Sequence, residues 1–171
     1  LVNSIGIRKT RFRPDRIIES GLLKTVGAGL KAANIHLEST IAALVPKGAT
    51  ELDFNHPDFV SACIPAANGM FTARSLAKLY ATLANGGELD GVRILSQGAV
   101  SNIMKVQNRN IGHVIPVPMH WRLGYHRVFA FGHATGHSFG HFGFGGSGAW
   151  ADPVRNLSAA MTLNSGVGTP F

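Results

Sequence analysis

One serine–lysine pair in this 171-residue sequence has a spacing that could support nucleophilic chemistry. Ser75 and Lys78 lie three positions apart, which would place both on one helix face, where lysine could activate the serine hydroxyl. Such a pair needs a Tyr-x-Asn or Ser-x-Asn triplet further along the chain, and the sequence contains neither. Because Ser75 also follows a capping residue, Thr72, closely, we predict that Ser75 and Lys78 are ordinary helix residues.

Two glycine-rich segments match known motifs, but the residues that follow each segment do not fit the motif. Residues 136–140 match the G-x-S-x-G nucleophile elbow around Ser138, but that motif needs a helix, then an acid and a histidine. The chain downstream resembles a strand, and its last histidine is His141. Residues 143–148 match the pattern G-x-G-x-x-G, yet residues 149–153 do not begin a helix. We therefore expect neither an α/β-hydrolase elbow nor a dinucleotide cofactor.

Three histidines, His133, His137 and His141, recur at intervals of four residues. On a helix this spacing would stack three imidazole rings on one face and could bind a metal ion. A glycine directly precedes each of the three histidines, which argues against a helix. We therefore expect loop histidines and no metal site.

Charge is concentrated at the N-terminal end of the sequence. The net charge is +7, and residues 1–47 contain eight Lys and Arg residues against three acidic residues. The segment is also helix-rich in its apolar pattern, and it could face an anionic partner or surface or simply be solvated. We expect no nucleic-acid binding, because no aromatic residue except Phe12 lies among its first arginines to stack on bases.

The single cysteine, Cys63, excludes an intramolecular disulfide and argues against a cysteine-based zinc site. No stretch approaches eighteen uninterrupted apolar residues, so we expect no transmembrane segment. No signal peptide is visible, and the compartment and the oligomeric state stay open. The chain begins at Leu1, which suggests that an upstream part is missing.

The middle of the chain shows the clearest helix signals. Thr72 predicts a helix start and Gly86-Gly87 its end, with an apolar stripe between them formed by Leu76, Leu79, Tyr80 and Leu83. Asp90-Gly91 predicts a tight turn or hairpin, and Ser96 predicts the start of another helix. Residues 49–70 look irregular, because Pro65 and the turn residues 55–58 interrupt any regular pattern.

After Asn110 the pattern changes to that of strands. Residues 121–129 alternate and are rich in aromatic and branched side chains, which predicts one strand. Residues 147–151 and 157–163 predict an antiparallel pair joined by a turn at 152–156. Helices followed by sequential antiparallel strands indicate the α+β class.

The block from Phe139 to Pro153, FGHFGFGGSGAWADP, resembles the H-x-G variant of the third active-site motif of β-lactamase-like esterases. Its flanks are similar to the same family. They are residues 64–74, the helix end Ala84-Asn85-Gly86-Gly87, the next helix start Leu95-Ser96, and Trp121-Arg122-Leu123-Gly124-Tyr125-His126, which resembles the family's W-x-L-G-[YF] strand. The resemblance covers residues 60–166. It is greatest to the esterase and lipase branch, including actinobacterial members, of the family that holds class C β-lactamases and penicillin-binding proteins.

This resemblance implies a β-lactamase/transpeptidase-like fold, an antiparallel sheet flanked by helices. It also implies hydrolysis of a small-molecule ester or amide through an acyl-enzyme on a serine, without a cofactor. Carried over to this sequence, the third motif places His141, Gly143 and Phe144 at the site. His141 would help to manage protons, Gly143 would let the backbone approach the substrate, and the N–H of Phe144 would stabilise the oxyanion.

The sequence departs from the family pattern in two places. In the family, the S-x-x-K and Y-x-N motifs precede the part that corresponds to this chain from residue 60 onward, and this sequence has neither motif before residue 60. The family's C-terminal helix would follow residues 166–171, and the sequence does not contain it. We therefore expect the fold to be incomplete at both ends, with residues 48–171 as the C-terminal part of the domain and 1–47 as an unplaced basic segment. This predicts a chain that is inactive alone. The alternative is a non-enzymatic basic module that binds an anionic partner or surface.

Overall fold

The computed structural model describes residues 53, 56–65, 68–112, 118–128, 135–143 and 146–163. The described residues up to Asn68, together with residues 111, 112 and 118, belong to one compact unit, and the others belong to a second. The basic segment 1–47 and two further sequence-predicted positions, His133 and Phe144, lie outside the described residues.

The first unit contains one short helix in its described part, α1, Pro57–Ser61. His56 caps it through its Nδ1 atom, which accepts a hydrogen bond from the N–H of Asp58 at 3.3 Å. Pro57 occupies the first turn, where a backbone N–H would have no partner within the helix. The sequence predicts only a turn around residues 56–58. That prediction is wrong at this point, because the residue types that make turns also begin helices.

The second unit begins with the longest described helix, α2, Ala73–Ala84. The Thr72 side chain accepts from the N–H of Ser75 while the Ser75 hydroxyl accepts from the N–H of Thr72, a reciprocal capping box. Gly86 and Gly87 end the helix with φ values of 70° and 95°, which favour glycine. The start and end of this helix are therefore confirmed.

A hairpin and a third helix follow as the sequence predicts. Strands β1, Glu88–Leu89, and β2, Val92–Arg93, pair antiparallel around Asp90 and Gly91, whose φ values of 52° and 77° are those of a type I′ turn. Helix α3, Gln97–Met104, begins at Ser96, whose hydroxyl accepts from the N–H of Ala99 at 3.1 Å.

A four-stranded antiparallel sheet forms the body of the second unit. Its strands are β3, His126–Arg127, β4, Phe139–Phe142, β5, Gly148–Asp152, and β6, Leu157–Met161, and they lie side by side in chain order. Pairs such as Gly140 with Trp150 and Trp150 with Ala159 set the register. The predicted antiparallel pair at residues 147–151 and 157–163, with its turn at 152–156, is confirmed as β5 and β6, and with it the α+β class.

The core lies between α2 and one face of this sheet. Its buried members come from α2, β4 and β5, namely Tyr80, Leu83, Ala84, Phe139, Ala149 and Ala151. Helix α2 packs on β5 and β6, and the Ser158 hydroxyl donates to the carbonyl of Ala77 at 3.0 Å. The sequence predicts Leu79 in the apolar stripe, but it is 42% exposed because the sheet contacts only the neighbouring face of the helix.

The strand predicted at residues 121–129 is much shorter in the structure. Within the described residues 121–128, only His126 and Arg127 pair with β4, and Trp121 makes an isolated bridge to Asn108. The backbone turns at His120 and Gly124, with φ values of 47° and 77°. These positive φ values interrupt the extended conformation that the alternating side-chain pattern predicts.

Arg122, within this bend, is buried and connects three parts of the second unit. Its guanidinium donates to the carbonyls of Met104 at 3.0 Å and Gly136 at 2.7 Å, so it joins the end of α3 to the turn before β4. Burial, and then the nearby Arg127 and Arg109, lower the pKa of Arg122 from its ordinary value. A single buried arginine thus positions the turn from which the site strand starts.

Candidate active site

The β4–β5 hairpin carries the residues of the third motif. The N–H of Gly143 donates to the carbonyl of Ser147 at 2.8 Å, and the N–H of Gly146 donates back to the carbonyl of Gly143 at 3.1 Å. Gly146 has a φ of 93°, as the tight loop requires. Both backbone polar groups of Gly143 are therefore used inside the hairpin, and neither is free to bind a ligand.

Three glycines around this hairpin differ in whether packing inside the sheet requires a glycine at their position. A Cβ atom at Gly140 would lie 2.6 Å from the Cβ of Trp150, and one at Gly148 would lie 2.7 Å from the carbonyl oxygen of His141. Each of these glycines faces an aromatic partner across the sheet, Gly140 with Trp150 and Gly148 with Phe142. Packing within the sheet alone therefore requires glycine at 140 and 148.

Gly143 is different, because the described residues leave room for a side chain there. A Cβ atom at Gly143 would have the Ser147 carbonyl oxygen, 3.6 Å away, as its nearest described contact. Its φ also lies outside the range that favours glycine. Among the described residues, nothing inside the protein demands glycine at position 143.

His141 lies in β4, opposite Ala149, and its side chain is exposed. The strand pairing of β3 with β4 ends at Gly140, so His141 lies just beyond the part of β4 that β3 covers. Its ring is 5.2 Å, centroid to centroid, from the ring of His126. The structure thus presents His141 at the end of the strand that leads into the Gly143 turn.

His126 is a site neighbour that lies at the end of the segment resembling the family's W-x-L-G-[YF] strand, and that resemblance gives it no role. It is only 3% exposed, and its ring also meets Trp121 edge-on at a centroid distance of 5.8 Å. Its Nδ1 atom lies 2.7 Å from the carbonyl oxygen of Arg127, and its Nε2 atom accepts the N–H of Phe142 at 3.2 Å. No spacing rule marks such a residue, because its partner is sixteen positions away.

The environment of His126 favours the neutral imidazole. Burial lowers its pKa from the ordinary value, and the nearby His141 and Arg122 lower it further, against an opposing effect of the Arg127 carbonyl. Since Nδ1 faces a carbonyl and Nε2 faces an N–H, the proton belongs on Nδ1.

Ser138, the serine of the rejected elbow, has a structural partner. It is buried just before β4, and its hydroxyl donates to Asp152 Oδ2 at 2.9 Å. Asp152 also accepts from the guanidinium of Arg155 and from the N–H groups of Val154 and Arg155. Burial would raise the pKa of Asp152, but these hydrogen bonds outweigh it and the pKa lies below its ordinary value.

A cleft of about 330 Å³ lies beside this pair. Trp150 and Leu157 line it together with Ser138 and Asp152, but His141 and Gly143 do not. Among the described residues, the cleft is therefore separate from His141 and Gly143. The rejection of Ser138 as an elbow nucleophile is confirmed, because a strand rather than a helix follows it.

The structure uses Ser75 and Lys78 as the sequence analysis predicts. Ser75 belongs to the α2 capping box, and the Lys78 ammonium lies 2.9 Å from Asp90 Oδ2. The chain has two tyrosines, Tyr80 and Tyr125. Burial raises the pKa of both phenols, and Tyr125 further raises that of Tyr80, so neither is poised to accept a proton.

Of the three histidines spaced by four residues, the structure describes His137 and His141. His137 lies in a turn and His141 in β4, so they do not share a helix. The G-x-G-x-x-G match at 143–148 leads into strand β5 rather than into the helix that a dinucleotide motif needs, as the sequence predicts. In the described part of the chain, no helix is long and apolar enough to cross a bilayer.

This fold is that of the β-lactamase/transpeptidase-like class, as its likeness to the solved structures given below shows. Residues 10–171 match the beta-lactamase family, and the chain belongs to that family. The match begins at residue 10 and thus runs through most of the basic segment, while the proposed boundary at residue 47 stays a prediction.

Three relatives come from the esterase, β-lactamase and penicillin-binding-protein members of this family. The chain is 43% identical over 106 residues to the esterase/beta-lactamase LipL of Mycobacterium tuberculosis, covering 59% of this chain and 23% of that protein. A penicillin-binding protein homologue from Caulobacter crescentus is 33% identical with a TM-score of 0.64, over 73% of this chain and 34% of that chain. A family VIII carboxylesterase is 33% identical with a TM-score of 0.62, over 72% and 35%. The chain therefore spans between about a quarter and a third of these relatives.

Proposed function

We propose that the β4–β5 hairpin forms one wall of the active site of a serine hydrolase that acts on small-molecule esters or amides. Membership of the beta-lactamase family supports hydrolytic chemistry, and the esterase names of two relatives support an ester or amide substrate. In this proposal the wall consists of His141, Gly143 and Phe144.

The contrast between the glycines is the observation that carries the proposal. Gly140 and Gly148 are required by packing within the sheet, whereas the described residues around Gly143 would accept a Cβ atom. A glycine for which the described residues give no packing reason, next to an exposed histidine at a strand end, is the arrangement that close approach of a substrate backbone or acyl group needs. It supports a functional role for Gly143.

The chemistry proposed for each residue follows from its position. The exposed imidazole of His141 can donate or accept a proton near the leaving group. Gly143 contributes the absence of a side chain rather than a hydrogen bond, because its own N–H and C=O serve the hairpin. The oxyanion donor is then the N–H of Phe144, as the family resemblance implies.

We further propose that the 171 residues alone do not carry out acyl transfer. Ser75 and Lys78 are engaged in a helix cap and an ion pair, and neither tyrosine has a phenol suited to accept a proton. Incubation with nitrophenyl acetate should give no burst, and a serine-directed phosphonate probe should give no adduct in mass spectrometry. Any stoichiometric serine adduct would contradict this statement.

The experiment for the wall itself is a chimera. The segment of LipL that aligns with this chain is replaced by the corresponding residues of this chain, and hydrolysis of nitrophenyl esters is measured. We expect kcat/KM to fall about 100-fold on His141→Ala, the usual loss for a general acid–base group. The control His137→Ala, an exposed histidine in the turn before β4, should leave kcat/KM unchanged. An active chimera that tolerates His141→Ala would overturn the proposal.

The alternative, a basic module that binds an anionic partner, depends on residues 1–47, which lie outside the described part of the chain. The family match runs through most of that segment and favours a place within the hydrolase domain. Binding to anionic vesicles that weakens steeply with salt would favour the alternative.

A further inference from the structure

We propose that His126 is a positioning residue that holds the third-motif strand through the N–H of Phe142. The proposal rests on the proposed function, since it assigns His126 to the wall that contains His141 and Gly143. It concerns a residue outside the motif itself, which contacts the described motif residues through the N–H of Phe142 and through the rings of His141 and Phe142.

The need for such a residue comes from the shortness of β3. Its two residues pair with Phe139 and Gly140, so the described strand pairing stops before the motif. The N–H of Phe142, two residues further along β4, points to the side that β3 would otherwise cover. The Nε2 atom of His126 accepts this N–H at 3.2 Å and so takes the place of a missing strand residue.

The second nitrogen determines the proton position. Nδ1 lies 2.7 Å from the carbonyl oxygen of Arg127, which can only accept, so Nδ1 must donate. Nε2 faces an N–H, which can only donate, so Nε2 must keep its lone pair. Only the neutral imidazole with the proton on Nδ1 satisfies both partners, and a proton on Nε2 would break the contact with Phe142.

The charged neighbours favour the same protonation state. His141 approaches from β4, Arg122 from the bend before β3, and both disfavour a positive charge on His126. The Arg127 carbonyl acts in the opposite direction. Because burial is the largest effect and lowers the pKa, the hydrogen bond to Phe142 is intact at neutral pH and is lost as the pH falls below the ordinary histidine value of about 6.5.

The consequence is local. Phe142 stands between His141 and Gly143, so its N–H anchors the strand at the centre of the motif. Loss of this anchor frees the sheet edge at the residue that precedes the Gly143 turn. The directions of the His141 ring and of the following backbone N–H then become less fixed.

The experiment is NMR on the 171-residue chain labelled with ¹⁵N. At pH 7.5 we expect His126 to show a protonated Nδ1 and an unprotonated, hydrogen-bonded Nε2, with the Phe142 amide protected from exchange. In His126→Leu the exchange of Phe142 should rise about tenfold, while His126→Gln, whose side-chain oxygen can reach the Nε2 position, should restore most of the protection. The control His137→Gln should exchange as the wild type does.

A merely packing role predicts a different result, because leucine would then replace histidine at least as well as glutamine. Equal exchange of Phe142 in the leucine and glutamine variants would overturn the proposal. So would the opposite tautomer, or a cationic His126 at pH 7.5, in the wild-type chain, a measurement that needs no variant to fold. Failure of the proposed function shows itself separately, as an active chimera that tolerates His141→Ala.

Discussion

In and beside the β4–β5 hairpin, packing explains some residues, and others have a proposed function. Gly140, Gly143 and Gly148 look equivalent in the sequence, but only two of them face an aromatic side chain across the sheet. The same holds for the histidines, since His126 is buried and bonded at both nitrogens while His141 is exposed. Residue type alone does not distinguish these roles, because the partners come from other strands.

A pair of glycine substitutions tests this separation. Gly140→Ala should destabilise the fold by about 2–3 kcal/mol, because its Cβ would press on the backbone of β5. Gly143→Ala should change stability by less than about 1 kcal/mol but should impair ester hydrolysis in the LipL chimera. Urea unfolding and kcat/KM measure the two effects. A Gly143 variant that unfolds as easily as the Gly140 variant would remove the argument for a functional glycine.

Asp152 should make stability depend on pH. Its pKa lies below the ordinary value, so the folded state binds fewer protons than the unfolded chain in mildly acidic solution. The contribution of Asp152 to the free energy of unfolding is therefore complete above the pKa of the unfolded chain, about 3.9. It is lost as the pH falls through the lower pKa of the folded state.

The corresponding substitution, Asp152→Ala, should cost about 2–4 kcal/mol at pH 7, because it leaves the buried Ser138 hydroxyl and the turn N–H groups without their acceptor. Asp58→Ala, at a highly exposed carboxylate, should cost no more than about 0.5 kcal/mol. A pH-independent stability difference between wild type and Asp152→Ala from pH 7 to pH 3 would contradict the assignment.

At the scale of elements, helix α2 shows why a motif match must be judged by its surroundings. Ser75 has the spacing to Lys78 that a nucleophile requires, yet it is the third residue of the helix and completes the capping box with Thr72. The hydroxyl is used by the backbone at the helix start, and Lys78 points to Asp90. The element therefore explains both residues without catalysis.

Removing the cap should weaken the helix and nothing else. Thr72→Ala should lower the free energy of unfolding by about 1 kcal/mol, and Ser75→Ala by about 0.5–1 kcal/mol. Ser101→Ala, at an exposed position inside α3, should be neutral or slightly stabilising, because alanine is the better helix former there. Denaturant titration checks all three. If Ser75→Ala removed labelling by a serine-directed probe, Ser75 would be a nucleophile after all.

The whole described sheet has two different faces. Helix α2 covers one face, whereas β6 and the residues after it carry exposed apolar side chains, with Leu157 at 47% and Met161 at 43% exposure. Leu163 is also exposed, and β6 is the last strand of the described sheet. Apolar side chains beside an edge strand favour association with other chains.

We therefore expect the 171-residue chain to expose apolar surface when it folds on its own. The purified chain should bind a dye that reports exposed apolar surface, and its denaturant slope should be lower than is usual for this length. Replacing Leu157 and Met161 together by Gln should reduce the dye signal. A cooperative transition with an ordinary slope and no dye binding would show that the chain is self-sufficient.

The sequence by itself determined the elements whose signals are local. The caps at Thr72 and Ser96, the Asp90-Gly91 hairpin and the β4–β5–β6 order follow from contacts between residues close in the chain. The family is also a property of the sequence itself. Only the tertiary structure decided that residues 121–125 bend, because positive φ values and a buried Arg122 override the alternating pattern. It also decided that His126 binds the Phe142 N–H and that the described residues leave space beside Gly143 but not beside Gly140. Neighbours sixteen or ten positions away in the chain leave no periodic pattern in the sequence.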